Sequence, residues 1–86
     1  MRLDKYLKVS RLIKRRTVAK EIIDAGRVKL NGKIAKPGSE VSIGDQLEIG
    51  FGSRQVRALI IQIKESVRAE EASNLYNLME GSPIDG

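Results

Sequence analysis

An 86-residue chain has room for one domain and a small core, which buries only roughly 60–68% of the unfolded surface. Three aromatics leave that core to Leu, Ile, Val and Ala, and with neither cysteine nor histidine there is no disulfide, thiolate nucleophile or usual transition-metal ligand. The net charge of +5 hides an uneven distribution: residues 1–36 hold twelve Lys/Arg against three acids (+9), and residues 37–86 hold four against eight (−4). Such asymmetry points to a polyanionic partner, with RNA the candidate. No apolar run approaches the ~20 residues of a membrane span, and the N-terminus lacks the apolar core of a signal peptide. A cytoplasmic, non-enzymatic chain without membrane, metal or cofactor is expected.

In chain order, Leu3, Tyr6 and Leu7 fall on one face of a helix over residues 3–9, with Asp4, Lys5 and Lys8 on the other. Ser10-Arg11 ends or bends it, and Leu12 and Ile13 turn inward to seal the junction. After Lys14-Arg15-Arg16, Thr17 is the expected N-cap of a second helix, although Lys20 stands where a capping box needs Glu. That helix runs to about Ala25 and stops at Gly26, with Val18, Ala19, Ile22, Ile23 and Ala25 on its apolar arc. Asn31-Gly32, between Val28-Lys29-Leu30 and Lys33-Ile34-Ala35, predicts a hairpin, because a type I′ turn needs positive φ at both positions. Turns follow at Pro37-Gly38 and at residues 42–45, then a strand over residues 46–49. Residues 50–53 turn it into a long strand, 55–64, with Leu59, Ile61 and Ile63 alternating to one face. Residues 68–79 read as a helix carrying Ala72, Leu75, Tyr76, Leu78 and Met79, and residues 81–86 as a frayed end.

The chemistry sits at Lys14-Arg15-Arg16-Thr17, at the mouth of the second helix. Free N–H groups and the positive dipole end favour an anion there, and adjacent guanidiniums grip phosphate in a forked contact. Arg11 and Lys20 extend that grip by a turn on either side, and Arg27, Lys29 and Lys33 come from the hairpin. The alternative is a solvated basic surface, but solubility does not require a +9 segment followed by a −4 one. Asp4 has two open roles: an exposed pair with Lys8, or an acid that orients Arg2 or a neighbouring arginine for RNA. Tyr6, sharing a face with Leu3 and Leu7, is read as core rather than as a stacking platform. Phe51, at a hairpin tip, is read as packing.

The run R-L-D-K-Y-L, then S-R-x-x-x-x-R-x-x-A-x-x-x-I-x-x-G-x-V from Ser10 to Val28, L-N-G-K at Leu30 to Lys33, P-G, and V-x-x-G-D at Val41 to Asp45 resembles the S-four-type RNA-binding domain. The resemblance implies an α+β, S-four-type (alpha-L) fold: two packed N-terminal helices against a small bent antiparallel sheet, with a short C-terminal helix beyond it. It implies that the helix pair and hairpin face structured RNA through Arg2, Asp4, Lys5, Arg11, Arg16, Lys20, Arg27, Lys29, Asn31 and Lys33. Lys14 and Arg15 join this set from the junction itself. The expected division is an RNA-binding domain at 1–64 and a helical extension with a frayed tail at 65–86.

Many family members are appendages of rRNA-modifying enzymes or tRNA synthetases, and this chain is expected to leave no room for such a partner domain. It is similar to the small stand-alone members, the heat-shock-protein-fifteen group, without the longer members' basic C-terminal extension. Within that group the resemblance implies a role in ribosome-associated quality control. The implied partners are the rRNA of a large ribosomal subunit, its obstructed P-site peptidyl-tRNA, and a tRNA-recruiting factor that adds a C-terminal alanine tail. The free protein is expected to be a monomer. A general large-subunit assembly or recycling factor is the alternative within the class. Outside the class stands a protein–protein adaptor working through the acidic C-terminal half.

Overall fold

Two short helices, α1 (Leu3–Val9) and α2 (Arg16–Asp24), bury Leu3, Tyr6 and Leu7 of the first against Ala19, Ile22 and Ile23 of the second. The structure, a computed structural model, describes residues 1–84. The side chain of Arg2, the residue before α1, makes no cap; the Ser39 and Pro37 carbonyls accept the first N–H groups, from Leu3 at 2.8 Å and Asp4 at 3.2 Å. The Asp4 carboxylate accepts the next, from Lys5, at 2.8 Å. These bonds satisfy donors that a helix start otherwise leaves open. After Ser10 the chain reverses at Arg11, which takes a left-handed φ of 58°, and this drives Leu12 and Ile13 fully into the core.

The start of α2 corrects the capping expectation. Arg15 is the extended residue before the helix and Arg16 the first helical one, so Thr17 lies inside the first turn. The backbone is already extended at Arg15 as it leaves the buried Ile13, and a helix can begin there without a side-chain cap. At the other end Gly26 (φ 75°) donates to the Ile23 carbonyl and Arg27 to that of Ile22, the paired bonds of a Schellman stop. Val18 is half-buried, but Ala25, the residue beyond the last turn, is exposed and leaves the expected apolar arc.

Five strands, β1 (Val28–Leu30), β2 (Lys33–Ile34), β3 (Gln46–Phe51), β4 (Arg54–Ile60) and β5 (Tyr76–Glu80), form one antiparallel sheet in the order β2-β1-β3-β4-β5. The Asn31-Gly32 hairpin is present, with Leu30 opposite Lys33 and φ values of 51° and 82° at the turn. Its parity puts Val28 inward, and Leu47, Ile49, Val56, Ala58 and Ile60 follow in register, all buried. Here the expected long strand is corrected. It ends at Ile60, and the buried positions alternate with Leu59 rather than including it, because Ile49 faces Val56 and Leu47 faces Ala58.

The short C-terminal helix is present as a 3-10 helix, Ala69–Leu75, with Ala72 and Leu75 buried at its three-residue repeat. It does not reach Met79. Tyr76–Glu80 leaves it as β5 and pairs with β4, whose outer edge a longer helix would leave unpaired. The expected frayed end is also corrected up to residue 84; residues 85–86 lie outside the described residues. Ile84 is fully buried, and its N–H donates to the Leu12 carbonyl at 2.7 Å. Arg54 pins the approach through the Ser82 hydroxyl at 2.9 Å and the Pro83 carbonyl at 3.3 Å. The Tyr6 hydroxyl donates to the Leu75 carbonyl at 2.8 Å, so segments on both sides of residue 64 contribute to one core.

Candidate nucleic-acid interface

One buried carboxylate gathers two arginines from different helix starts. Asp4, on the first turn of α1, is 3% exposed. Arg2 donates to it from Nε at 3.2 Å and Nη2 at 3.3 Å, and Arg16 donates from Nη2 at 3.3 Å. Burial alone would raise the Asp4 pKa; the bonds from Arg16, Arg2 and the Lys5 N–H outweigh it and hold the carboxyl below its usual range. Of the two roles open to Asp4, the structure gives it the arginines, and no bond joins it to Lys8 among the described residues. The guanidiniums are about half-exposed, at 53% and 47%, so each keeps donors toward solvent. Two cations on one anion leave a net positive charge with fixed direction.

The remaining expected contacts divide into groups. Arg15 and Lys20 are exposed on α2 and before it. Arg11 and Lys14 stand at the junction around a small cleft shared with Lys8, which lies outside the expected set. The Lys5–Lys8–Arg11 spacing of three is the sequence signal that could have included it. Lys5 is half-buried and ion-paired with Glu65, sixty residues away, a partner that no local pattern announces.

The hairpin residues lie elsewhere. Lys29 stands on the sheet face opposite buried Val28, in register with Glu48, and it shares a shallow depression with Arg27. Glu48, Arg57 and Glu80 continue that face as a charged row, with contacts of 3.9 and 3.8 Å. The hairpin cations are therefore not part of the Arg2–Asp4–Arg16 group. Lys33 is exposed on the edge strand β2. The Asn31 amide is used within the fold: it donates to Asp45 at 3.0 Å and accepts the Gln46 N–H at 2.9 Å, tying the hairpin tip to the start of β3. Tyr6 is fully buried, as expected, and burial pushes its hydroxyl pKa far up; Phe51 packs partly against the core.

Residues 1–47 match the S4 domain. The chain is 56% identical over 84 residues to the RQC P-site tRNA stabilizing factor of Halalkalibacterium halodurans, covering 98% of this chain and 96% of that protein. It is 46% identical over 85 residues to the protein of the same name from Streptococcus pneumoniae, covering 99% and 97%. Among solved structures it is similar to the trimeric Vibrio cholerae heat shock protein 15, with a TM-score of 0.84 and 36% identity over 92% of this chain and 81% of that one.

Proposed function

From the premise that the chain belongs to the S4 domain family, we propose that it is a non-enzymatic RNA-binding factor that holds P-site tRNA on the large ribosomal subunit during ribosome-associated quality control. The name shared by its relatives supports tRNA stabilisation, and their coverage of nearly the whole chain supports carrying that role over. The finer reading is that it keeps an obstructed peptidyl-tRNA in place, in the cytoplasm, while a tRNA-recruiting factor extends a C-terminal alanine tail. Holding a tRNA requires no proton transfer and no covalent intermediate, which suits a chain with neither His nor Cys.

The observation that carries this function is the pair of arginines on buried Asp4. Arg2 and Arg16 are oriented before any ligand arrives, so little side-chain freedom remains to be lost on binding phosphate. Arg16 is also the first residue of α2, where the helix dipole favours an anion. Arg11, Lys14, Arg15 and Lys20 extend the contact along α2 and the junction, and Lys5 joins by exchanging Glu65 for phosphate. Arg27, Lys29 and Lys33 contact RNA from a second side, with Asn31 holding the hairpin that carries them. Residues 1–64 supply these cations in this arrangement, and residues 65–84 brace the domain that presents them.

Arg16→Ala tests it. The protein should remain folded, yet its co-sedimentation with large subunits should fall about 10- to 150-fold, as for loss of a charge-assisted contact worth ~1.5–3 kcal/mol. Arg16→Lys should recover only part of the binding, because an ammonium cannot fork. Alanine tailing on stalled chains should fail in parallel. A folded Arg16→Ala protein that sediments and supports tailing like wild type would sink the proposal. The gradient also reads whether the free chain is the expected monomer or a trimer like the Vibrio protein.

A further inference from the structure

The C-terminal end of α1 and the junction after it face a segment beyond the part of the chain that matches the S4 domain. Lys8, Arg11 and Lys14 on one side, and Glu65, Ser66 and Val67 on the other, line a cavity of about 80 Å³. A space of that size beside three cations suits a small anion such as one phosphate group. Arg11 holds a left-handed backbone that glycine would adopt without strain, and such outliers gather at functional sites. A protein anion stands at its rim: Glu65 lines the cavity, and its carboxylate pairs with Lys5 just outside the lining. Its side chain is 78% exposed, so core packing does not lock it there.

We propose that this cleft is a phosphate subsite gated by Glu65, in which a phosphate group settles among Lys8, Arg11 and Lys14, accepts a hydrogen bond from the Ser66 hydroxyl, and turns the Glu65 side chain, held by Lys5, away from the cleft. The strap at residues 65–67 thus makes the C-terminal segment part of the binding surface and sets its threshold. Glu65 repels weakly held, isolated anions, whereas a polyanion anchored elsewhere on the surface brings its phosphate in at high local concentration. The gating rests on the RNA-binding function above only for the identity of the polyanion.

The test follows the backbone amides of Arg11, Ser66 and Val67 by NMR at fixed ionic strength, on the full chain. One titration uses inorganic pyrophosphate and the other a short structured RNA. Saturable shifts at these amides are expected with both, and Glu65→Gln should tighten pyrophosphate about fivefold, the effect of one unit charge at contact distance in water. Arg11→Gly keeps the turn and should stay folded while losing the saturable response. Unchanged pyrophosphate affinity in Glu65→Gln, or shifts spread over the basic surface without saturation at the cleft, would overturn the gate. Saturable, Glu65-dependent pyrophosphate binding with no RNA binding would uphold the subsite and count against the RNA function instead.

Discussion

Asp4 is nearly buried, accepts from two guanidiniums, and has its pKa lowered in the folded protein. A depressed carboxylate pKa contributes stability that is fully present above the unfolded value, near 3.8, and lost as pH falls through the folded value. Asp4→Asn should therefore lower stability at neutral pH by about 1.5–3 kcal/mol, nearer the lower figure because both arginines are half-exposed. As pH falls below 3.8 and on through the lower folded value the deficit should shrink, because protons bind first to the unfolded and then to the folded wild-type carboxyl. Urea midpoints at neutral and acid pH measure both, and a deficit that stays constant with pH would show that Asp4 acts by shape alone. An acid amid bases is visible in the sequence, and so is Arg2 as a candidate partner two residues away, but Arg16 is not. Asp4 and Arg16 are twelve residues apart, and only the packing of α1 on α2 makes them neighbours.

Among the elements, β5 and the tail after it are the part least apparent from sequence. Gly81 takes a φ of 79°, and a Cβ there would run into the Gln55 carbonyl on β4. This close approach lets residues 82–84 fold back so that Ile84 reaches Leu12. Gly81→Ala should cost about 1–3 kcal/mol through backbone displacement and left-handed strain. It should also speed hydrogen exchange at the Ile84 amide well beyond the change elsewhere in the sheet. Full protection of Ile84 in the variant would mean that the tail is held independently of this crossing. The helix expected over residues 68–79 fails at Tyr76 for a related reason. Ala72, Leu75 and Tyr76 fit a helical stripe, yet the open edge of β4 offers backbone partners that a helix cannot supply. On β4 itself apolar residues occupy both parities, so alternation alone could not choose the buried one. The register with Leu47 and Ile49 did.

For the molecule as a whole, the arrangement predicts steep salt dependence. If about five phosphates are neutralised, log K for a structured RNA should fall with log[salt] at a slope of roughly −4 to −5, by analogy with duplex DNA. Removing one charge at Arg11, Lys20 or Lys29 should lessen that slope by about one. Binding measured at several salt concentrations gives the slope, and a value near zero would exclude an electrostatic grip. The uneven charge behind this expectation was readable directly from the chain. So were α1, α2, the Gly26 stop and the Asn31-Gly32 hairpin, because periodicity, helix stops and turn stereochemistry act within a few residues. Tertiary structure alone decided that Arg2 and Arg16 share Asp4, that Lys5 is held by Glu65, and that Ile84 lies under the helix junction. Those pairings span as many as 72 residues, from Leu12 to Ile84, and depend on burial and on which segments meet, and neither quantity is encoded by the neighbours of a residue in the chain.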